Sequence, residues 1–254
     1  MAKKLYVRFS TEQDEKDIFD FYKQNSHTFI FLRDPEVWKE RIAAGAVTMI
    51  HDEAGQIMAA SISYPIMMKD AKGNDVQQWS EIGSTRVALD GIGLFNPLVS
   101  AQVLRAYLLE PPKDRFLMEI VVGNEHSKHV FSKLGATLFE MTPELAEKAR
   151  ASIASDAGAD APAVAASDED PVEWFQIGTE AIPGIAATLL DAQKNNIRVN
   201  KKTGEEYELD FSRCILATQL KDQVQVLAKQ NFGDVKKPDC KKPLKPSPAK
   251  LNRL

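Results

Sequence analysis

The sequence predicts a mixed α/β fold, a mostly antiparallel sheet flanked by helices, with a small α+β extension at its C-terminal end. Three observations carry that expectation. Apolar runs in the first half are separated by hairpin compositions. Segments with helical spacing stop at glycine or proline. Helix and strand signals interleave along the chain instead of segregating, as layered α/β folds require. A chain of 254 residues, 44% hydrophobic and 27% charged, can bury one large core or two small ones.

Taken in order, residues 6–9 (Tyr6, Val7, Arg8, Phe9) read as a strand. Thr11 with Asp14 three positions on can then cap a helix bearing Ile18, Phe21 and Tyr22 on one face. Asp34-Pro35 opens a second helix through Val37, Trp38 and Ile42, and Gly45 closes it. Residues 47–50 and 57–64 are strands joined across the polar segment 51–56, and the turn at 70–75 leads to a third strand over 78–89. Apolar residues recur at helical spacing over 94–109 until Pro111-Pro112, with Pro97 expected to delay the helix start. A strand at 116–122, a short helix from Asn124 to the capping Gly135 and a strand at 137–141 complete this part.

Residues 151–170 hold eight alanines and five acidic residues and no Lys or Arg, a flexible-linker composition. The domain expectation is therefore 1–150, a linker over 151–172, a small unit over 173–235 and a basic tail over 236–254. The unit is expected to have a helix over 182–194, a turn at 200–205 between short strands and an amphipathic helix over 215–227. So few residues bury only a modest core, so it is expected to pack on the first domain or on a second subunit of a homodimer. The tail carries seven Lys/Arg and four prolines without aromatics, which reads as a solvated extension and gives no support for base stacking.

Net charge is −4 and the pI about 5.7, so the whole molecule does not attract nucleic acid or anionic lipid. No apolar run follows Lys3-Lys4, and no stretch approaches ~20 apolar residues, so neither secretion nor a membrane span is expected. Cys214 and Cys240 are too few for a zinc cluster or disulfide framework, and the expected location is the cytoplasm with no metal bound.

Two segments could carry chemistry. In 124–136, a small residue (Ser127), an aromatic (Phe131) and a glycine (Gly135) follow Asn124 by three, seven and eleven positions; any capped helix would also show an Asn and a closing Gly. In Val87-Ala88-Leu89-Asp90-Gly91-Ile92-Gly93-Leu94, a strand runs through a Gly-x-Gly turn into a helix. Such a turn can aim unpaired N–H groups at phosphate oxygens, or be a plain turn.

In type, order and spacing these segments resemble the GNAT family of acyl-CoA-dependent N-acetyltransferases, over about residues 1–143. The resemblance implies a fold in which the fourth and fifth strands splay and acetyl-CoA, as co-substrate, inserts between them. Backbone groups of Thr85, Arg86, Val87 and Ala88 would pair with its pantetheine arm. It implies cofactor contacts at Val87, Ala88, Leu89, Gly91, Ile92, Gly93, Leu94, Asn124, Ser127 and Phe131. Ala88 stands where the family has Arg or Gln, Asp90 adds a negative charge, and Phe131 stands where a tyrosine acid is usual, so the thiolate leaves unassisted or to water, or Tyr107, His126 or His129 substitutes, or the domain binds CoA without turnover. Glu81 occupies the place of a carboxylate general base, the alternative being a solvated strand glutamate. Phe29, Phe31 and Leu32 lie in a loop that forms an acceptor wall in the family, or they pack in the core. Trp38, Trp79 and Trp174 read as core or interface.

The function so implied is acyl transfer from acyl-CoA to the amine of a small molecule or protein by direct attack on the thioester. The alternatives are a catalytically inactive GNAT-fold regulator or scaffold, and, last, a nucleic-acid-associated protein acting through the tail.

Overall fold

The computed structural model describes residues 2–25, 35–70, 72–111, 115–143, 145–147, 149 and 172–230. Its sheet grows outward from β1 (Lys3–Phe9), which pairs antiparallel with β2 (Val47–Asp52). β2 pairs with β3 (Ile57–Lys69) and β3 with β4 (Asp75–Val87), again antiparallel. β4 is parallel to β5 (Arg115–Val121), but only over Trp79, Ser80 and Glu81. Beyond β5 lies β7 (Val172–Gly178), antiparallel to it along seven residue pairs, and β6 (Thr137–Leu138) forms that edge. On the far side β1 is parallel to β9 (Glu206–Asp210), and β8 (Ile197–Val199) is the other edge. The sheet is thus open and mostly antiparallel, with the order β6-β7-β5-β4-β3-β2-β1-β9-β8. The strands of 172–230 join it at both ends, and β7 begins at Val172, where the linker was expected to finish.

Helices cover both faces. α1 (Glu15–Gln24) and α2 (Pro35–Ala43) turn Ile18, Phe21, Tyr22, Val37, Trp38 and Ile42 onto Met49, Ile62 and Tyr64. The Thr11 N–H and hydroxyl both donate to the Asp14 carboxylate, which fixes the entry to α1 as the Thr-x-x-Asp spacing predicts. The opposite face carries α3 (Phe95–Leu109), α5 (Ile182–Lys194) and α6 (Lys221–Lys229), with α4 (Glu125–Lys133) beside them. Leu5, Val7, Ile50, Ala59, Ile82, Phe116 and Met118 meet Leu98, Leu104, Ile185 and Leu189 there. Strand alternation sorts neighbours to opposite cores, so Met49 packs on α1 and α2 while Ile50 packs toward α3.

α3 is buried on nearly all sides, between sheet and α5. Two of its buried polar residues, Gln102 and Arg105, are bonded to the elements around them, while the Ser100 hydroxyl has no hydrogen-bond partner among the described residues. Gln102 accepts from the Thr48 N–H and hydroxyl and donates to the Ala46 carbonyl. Arg105 pairs with Glu110 at 2.7 Å and donates to the Ala44 carbonyl, and Glu110 also meets Arg41, Ser63, Gln77 and Ser80. Because the groups around Gln102 and Glu110 share partners, removing one would strand the others and cost more than one hydrogen bond.

Several expected boundaries move. Pro97 does not delay α3, which starts at Phe95; a proline in the first turn removes an N–H that has no intrahelical acceptor there. Residues 215–220 are successive turns, the Ala217 N–H bonding the Cys214 carbonyl and the Leu220 N–H that of Ile215, and α6 begins only at Lys221. β3 and β4 run on beyond their expected shared turn ends, and the strand expected at 137–141 is regular for two residues only. Trp38, Trp79 and Trp174 are core residues, each at most 5% exposed.

Candidate functional site

After Glu81–Leu117 the two parallel strands part. β5 stays with β7, while β4 follows β3, whose register with it shifts between Ala60 and Ile62. A bulge makes the turn-away. Ser84 has φ +47°, left-handed backbone that only strong local contacts hold for a residue with a Cβ. Those contacts are visible: the Tyr22 hydroxyl donates to the Ser84 carbonyl at 2.5 Å, Tyr64 Oη lies 3.2 Å from Ser84 Oγ, and Thr85 Oγ1 lies 2.8 Å from Ser61 Oγ. Burial, and then the neighbouring Tyr64, push the Tyr22 phenol well above its ordinary pKa, so it stays a neutral donor.

The opening between the strands is a cleft of 780 Å³. The Ala88 N–H bonds the Met58 carbonyl on β3 at 2.8 Å. By alternation, the N–H and C=O groups of Val87 and Thr85 face the opening, where β5 no longer supplies partners. Glu81 is 4% exposed at the inner end, and a Cβ placed on Gly83 would lie 2.8 Å from its Oε1 and 3.3 Å from the Tyr64 ring. The carboxylate is thus folded across Gly83 beside Tyr64, not solvated on a strand face.

The outer end is closed by two helix starts. Gly91 and Gly93 have φ of +84° and +72°, conformations that glycine adopts without a Cβ penalty, and α3 follows two residues later. Opposite them, Asn124 caps α4 by accepting from the Ser127 N–H at 3.1 Å. At its other end α4 stops at Gly135 (φ +89°), whose N–H bonds Ser132 while the Ala136 N–H bonds Phe131.

Of the expected site residues, Glu81, Val87, Leu89, Gly91, Gly93, Leu94, Asn124, Ser127 and Phe131 line this one cleft. Ala88 and Ile92 do not. The Ala88 N–H is spent on Met58, and Ile92 is 4% exposed in the core beneath the loop. Phe131 is buried edge-to-face on Phe95, with ring centroids 5.1 Å apart, and has no proton to give. Among the expected substitutes His126 lines the cleft, whereas His129 is exposed elsewhere on α4 and Tyr107 packs against the α3 core. Phe29, Phe31 and Leu32 lie outside the described residues, as does the basic tail. Sequence reasoning missed the Ser84 bulge, its two tyrosines, Phe95, Asn96, Lys133 and Lys202. Phe95 and Asn96 directly follow the glycine turn and were within reach, but nothing local marks the others.

No family model matches the chain, and no curated protein matches it. Among solved structures it is similar to a GNAT-family acetyltransferase from Streptococcus pneumoniae, at 12% identity over 68% of this chain and 99% of that one, with a TM-score of 0.48. It is similar also to a Salmonella typhimurium protein solved with its cofactor acetyl-CoA (17% identity; 68% and 93% of the two chains; TM-score 0.49). A third is the diaminobutyrate acetyltransferase of Paenibacillus lautus in complex with L-2,4-diaminobutyric acid and coenzyme A (10%; 70% and 96%; 0.45). No helix among the described residues is long and apolar enough to cross a membrane, and among them there is no cluster of His, Cys, Asp or Glu able to hold a metal.

Proposed function

We propose that the chain is a GNAT-type N-acyltransferase that takes an acyl group from acyl-CoA and passes it to an amine. The observation that carries this reading is the parting of β4 and β5, which leaves the backbone groups of Thr85 and Val87 unpaired toward a cleft capped by the Gly91 and Gly93 turn. Unpaired strand groups fit an extended amide-bearing arm, and the turn's free N–H groups fit phosphate oxygens. The positive φ at both glycines lets that backbone come close to a ligand. No metal is needed in this chemistry.

The acyl-CoA supplies the activated thioester; the chain supplies position and a proton acceptor. Holding the thioester along β4 beside an amine makes the attack effectively intramolecular. Glu81, at the inner end of the cleft, accepts the proton of the incoming ammonium directly or through a water, since only the neutral amine is nucleophilic. With phenylalanine at 131, the departing sulfur takes its proton from solvent or from His126.

The buried, hydroxyl-free Phe131 also favours a second reading, a GNAT-fold protein that binds CoA without turnover. Titration calorimetry with acetyl-CoA and CoA, repeated on Gly91→Glu, tests the donor site. Micromolar binding lost in the variant is the expected result, and absence of binding to the parent protein sinks the assignment. A panel of amines then separates the readings: thiol release that disappears in Glu81→Gln supports the enzyme, and silence across the panel supports the binder.

A further inference from the structure

The glycine turn that caps the cleft is electrostatically incomplete. Ala88 contributes no side-chain donor, and the exposed Asp90 adds a negative charge where a diphosphate would bring more. The missing cation is brought from the other end of the chain. The turn at 200–204, between β8 and β9, packs directly on this loop through Asn200, which is 6% exposed. Asn200 Nδ2 donates to the Asp90 carbonyl at 3.3 Å, while its Oδ1 accepts from the Lys202 and Thr203 N–H groups at 2.9 and 3.3 Å. The fit is close, because a Cβ on Gly91 would lie 3.3 Å from that same Oδ1. One side chain thus holds two loops in register and sets Lys202 at the mouth of the cleft, beside Asp90, Gly91 and Gly93. Among the described residues the Lys202 ammonium makes no ion pair, although acidic Glu205 nearby is engaged by Lys3, Thr203 and Tyr207.

We propose that Lys202 is a donor-binding residue: its ammonium pairs with the diphosphate of the CoA nucleotide, replacing the side chain that Ala88 lacks, and Asn200 is the residue that positions it. This rests on the acyl-CoA reading of the cleft and extends the site into the C-terminal hairpin. A lysine acts there as a mobile point charge and requires no fixed fork geometry, which suits an exposed rim. Arg86 on β4 and Lys133 on α4 also line the cleft, but the glycine turn itself carries only the negative Asp90, and Lys202 is the cation that the Asn200 contact holds against that turn.

Titration calorimetry of the full chain with CoA, 3′-dephospho-CoA and inorganic pyrophosphate tests this in the parent, Lys202→Glu, Lys202→Ala and Lys202→Arg. A charge-assisted contact of this kind predicts CoA binding weakened about ten- to a hundredfold in Lys202→Ala and further in Lys202→Glu. Lys202→Arg stays close to the parent. The same loss toward 3′-dephospho-CoA places the contact at the diphosphate, and a loss confined to CoA overturns that placement in favour of the 3′-phosphate. The salt dependence of CoA binding becomes shallower in Lys202→Ala. Parent-like CoA affinity in Lys202→Glu overturns the proposal while leaving the donor reading intact. Pyrophosphate binding lost in Lys202→Glu, in a protein that ignores CoA, keeps the anion site and removes the donor reading. Binding of no ligand by the parent overturns both. Unchanged circular dichroism confirms that each variant folds, as an exposed side chain should permit.

Discussion

Glu81 closes the last residue pair that β4 and β5 share, and its place there gives it both burial and access to the cleft. Glu81→Gln keeps the shape and removes the proton acceptor, so kcat for the best amine should fall by about 10²–10⁴ with CoA affinity unchanged. Steady-state thiol release paired with calorimetry checks this, and a loss seen only in affinity would assign Glu81 a structural part. Asp14 makes a different kind of prediction. Burial opposes its ionisation, but bonds from Arg8 and Thr11 prevail and hold its carboxyl below the ordinary value of 3.8. A lowered folded value means stability that is present above the ordinary value and is lost as pH falls through the folded one. Asp14→Asn should therefore lower the urea midpoint at pH 7 and flatten its decline below about pH 4; equal slopes in both proteins would remove the Arg8–Asp14 pair from the acid response. Cys214, fully buried, has its thiol pushed up to about 11 by burial and should react with a disulfide reagent only on unfolding.

Elements whose signals are local were legible in the sequence, and those fixed by distant partners were not. The helix over 182–194 has its proline in the first turn and apolar residues at helical spacing, and α5 has those bounds. Asn124 and Gly135 mark the two ends of α4 as their residue types suggest. By contrast, Ile215, Leu216 and Leu220 continue the spacing of α6 but lie in turns, because Cys214 and Leu216 are drawn into the core and bend the chain there. The bulge at Ser84 is invisible in sequence since its cause is Tyr22, sixty-two positions away. Tyr22→Phe should cost about 1 kcal/mol and relax the bulge, so CoA affinity falls along with thermal stability. Gly135 gives a steric counterpart. Its φ is +89° and a Cβ would lie 2.9 Å from the Ala181 Cβ, so Gly135→Ala should destabilise by about 1–3 kcal/mol, read by denaturant unfolding.

At the scale of the whole molecule, the sequence predicted a small unit beyond a linker, packed on the first domain or on a second subunit, and the sheet joins 172–230 to the first part through β7 on β5 and β9 on β1. The apolar residues Tyr207, Leu209, Leu216, Val224 and Leu227 share one core with Leu5, Val7 and Leu98. Composition located the change in the chain at 151–170, but it holds no record of which edges the later strands meet, because pairing between distant strands leaves no local period. A chain ending at residue 150 should therefore expose both β1 and β5 as edges, lose the core residues of 172–230 that pack on Leu5, Val7 and Leu98, and aggregate. A soluble, cooperatively unfolding fragment in light scattering and circular dichroism would show instead that the first 150 residues are a domain.

That pairing has a temporal side. A ribosome delivers β1 and β5 long before the strands that cover them, and at 5–20 residues per second the interval is on the order of ten seconds. For that time the nascent chain carries two open strand edges and an uncovered α3 face, the features that invite pairing with the wrong strand. The cleft would reach its finished form only when the β8–β9 hairpin, with Asn200 and Lys202, docks on the glycine turn, so the site closes well after the strands that frame it have been made.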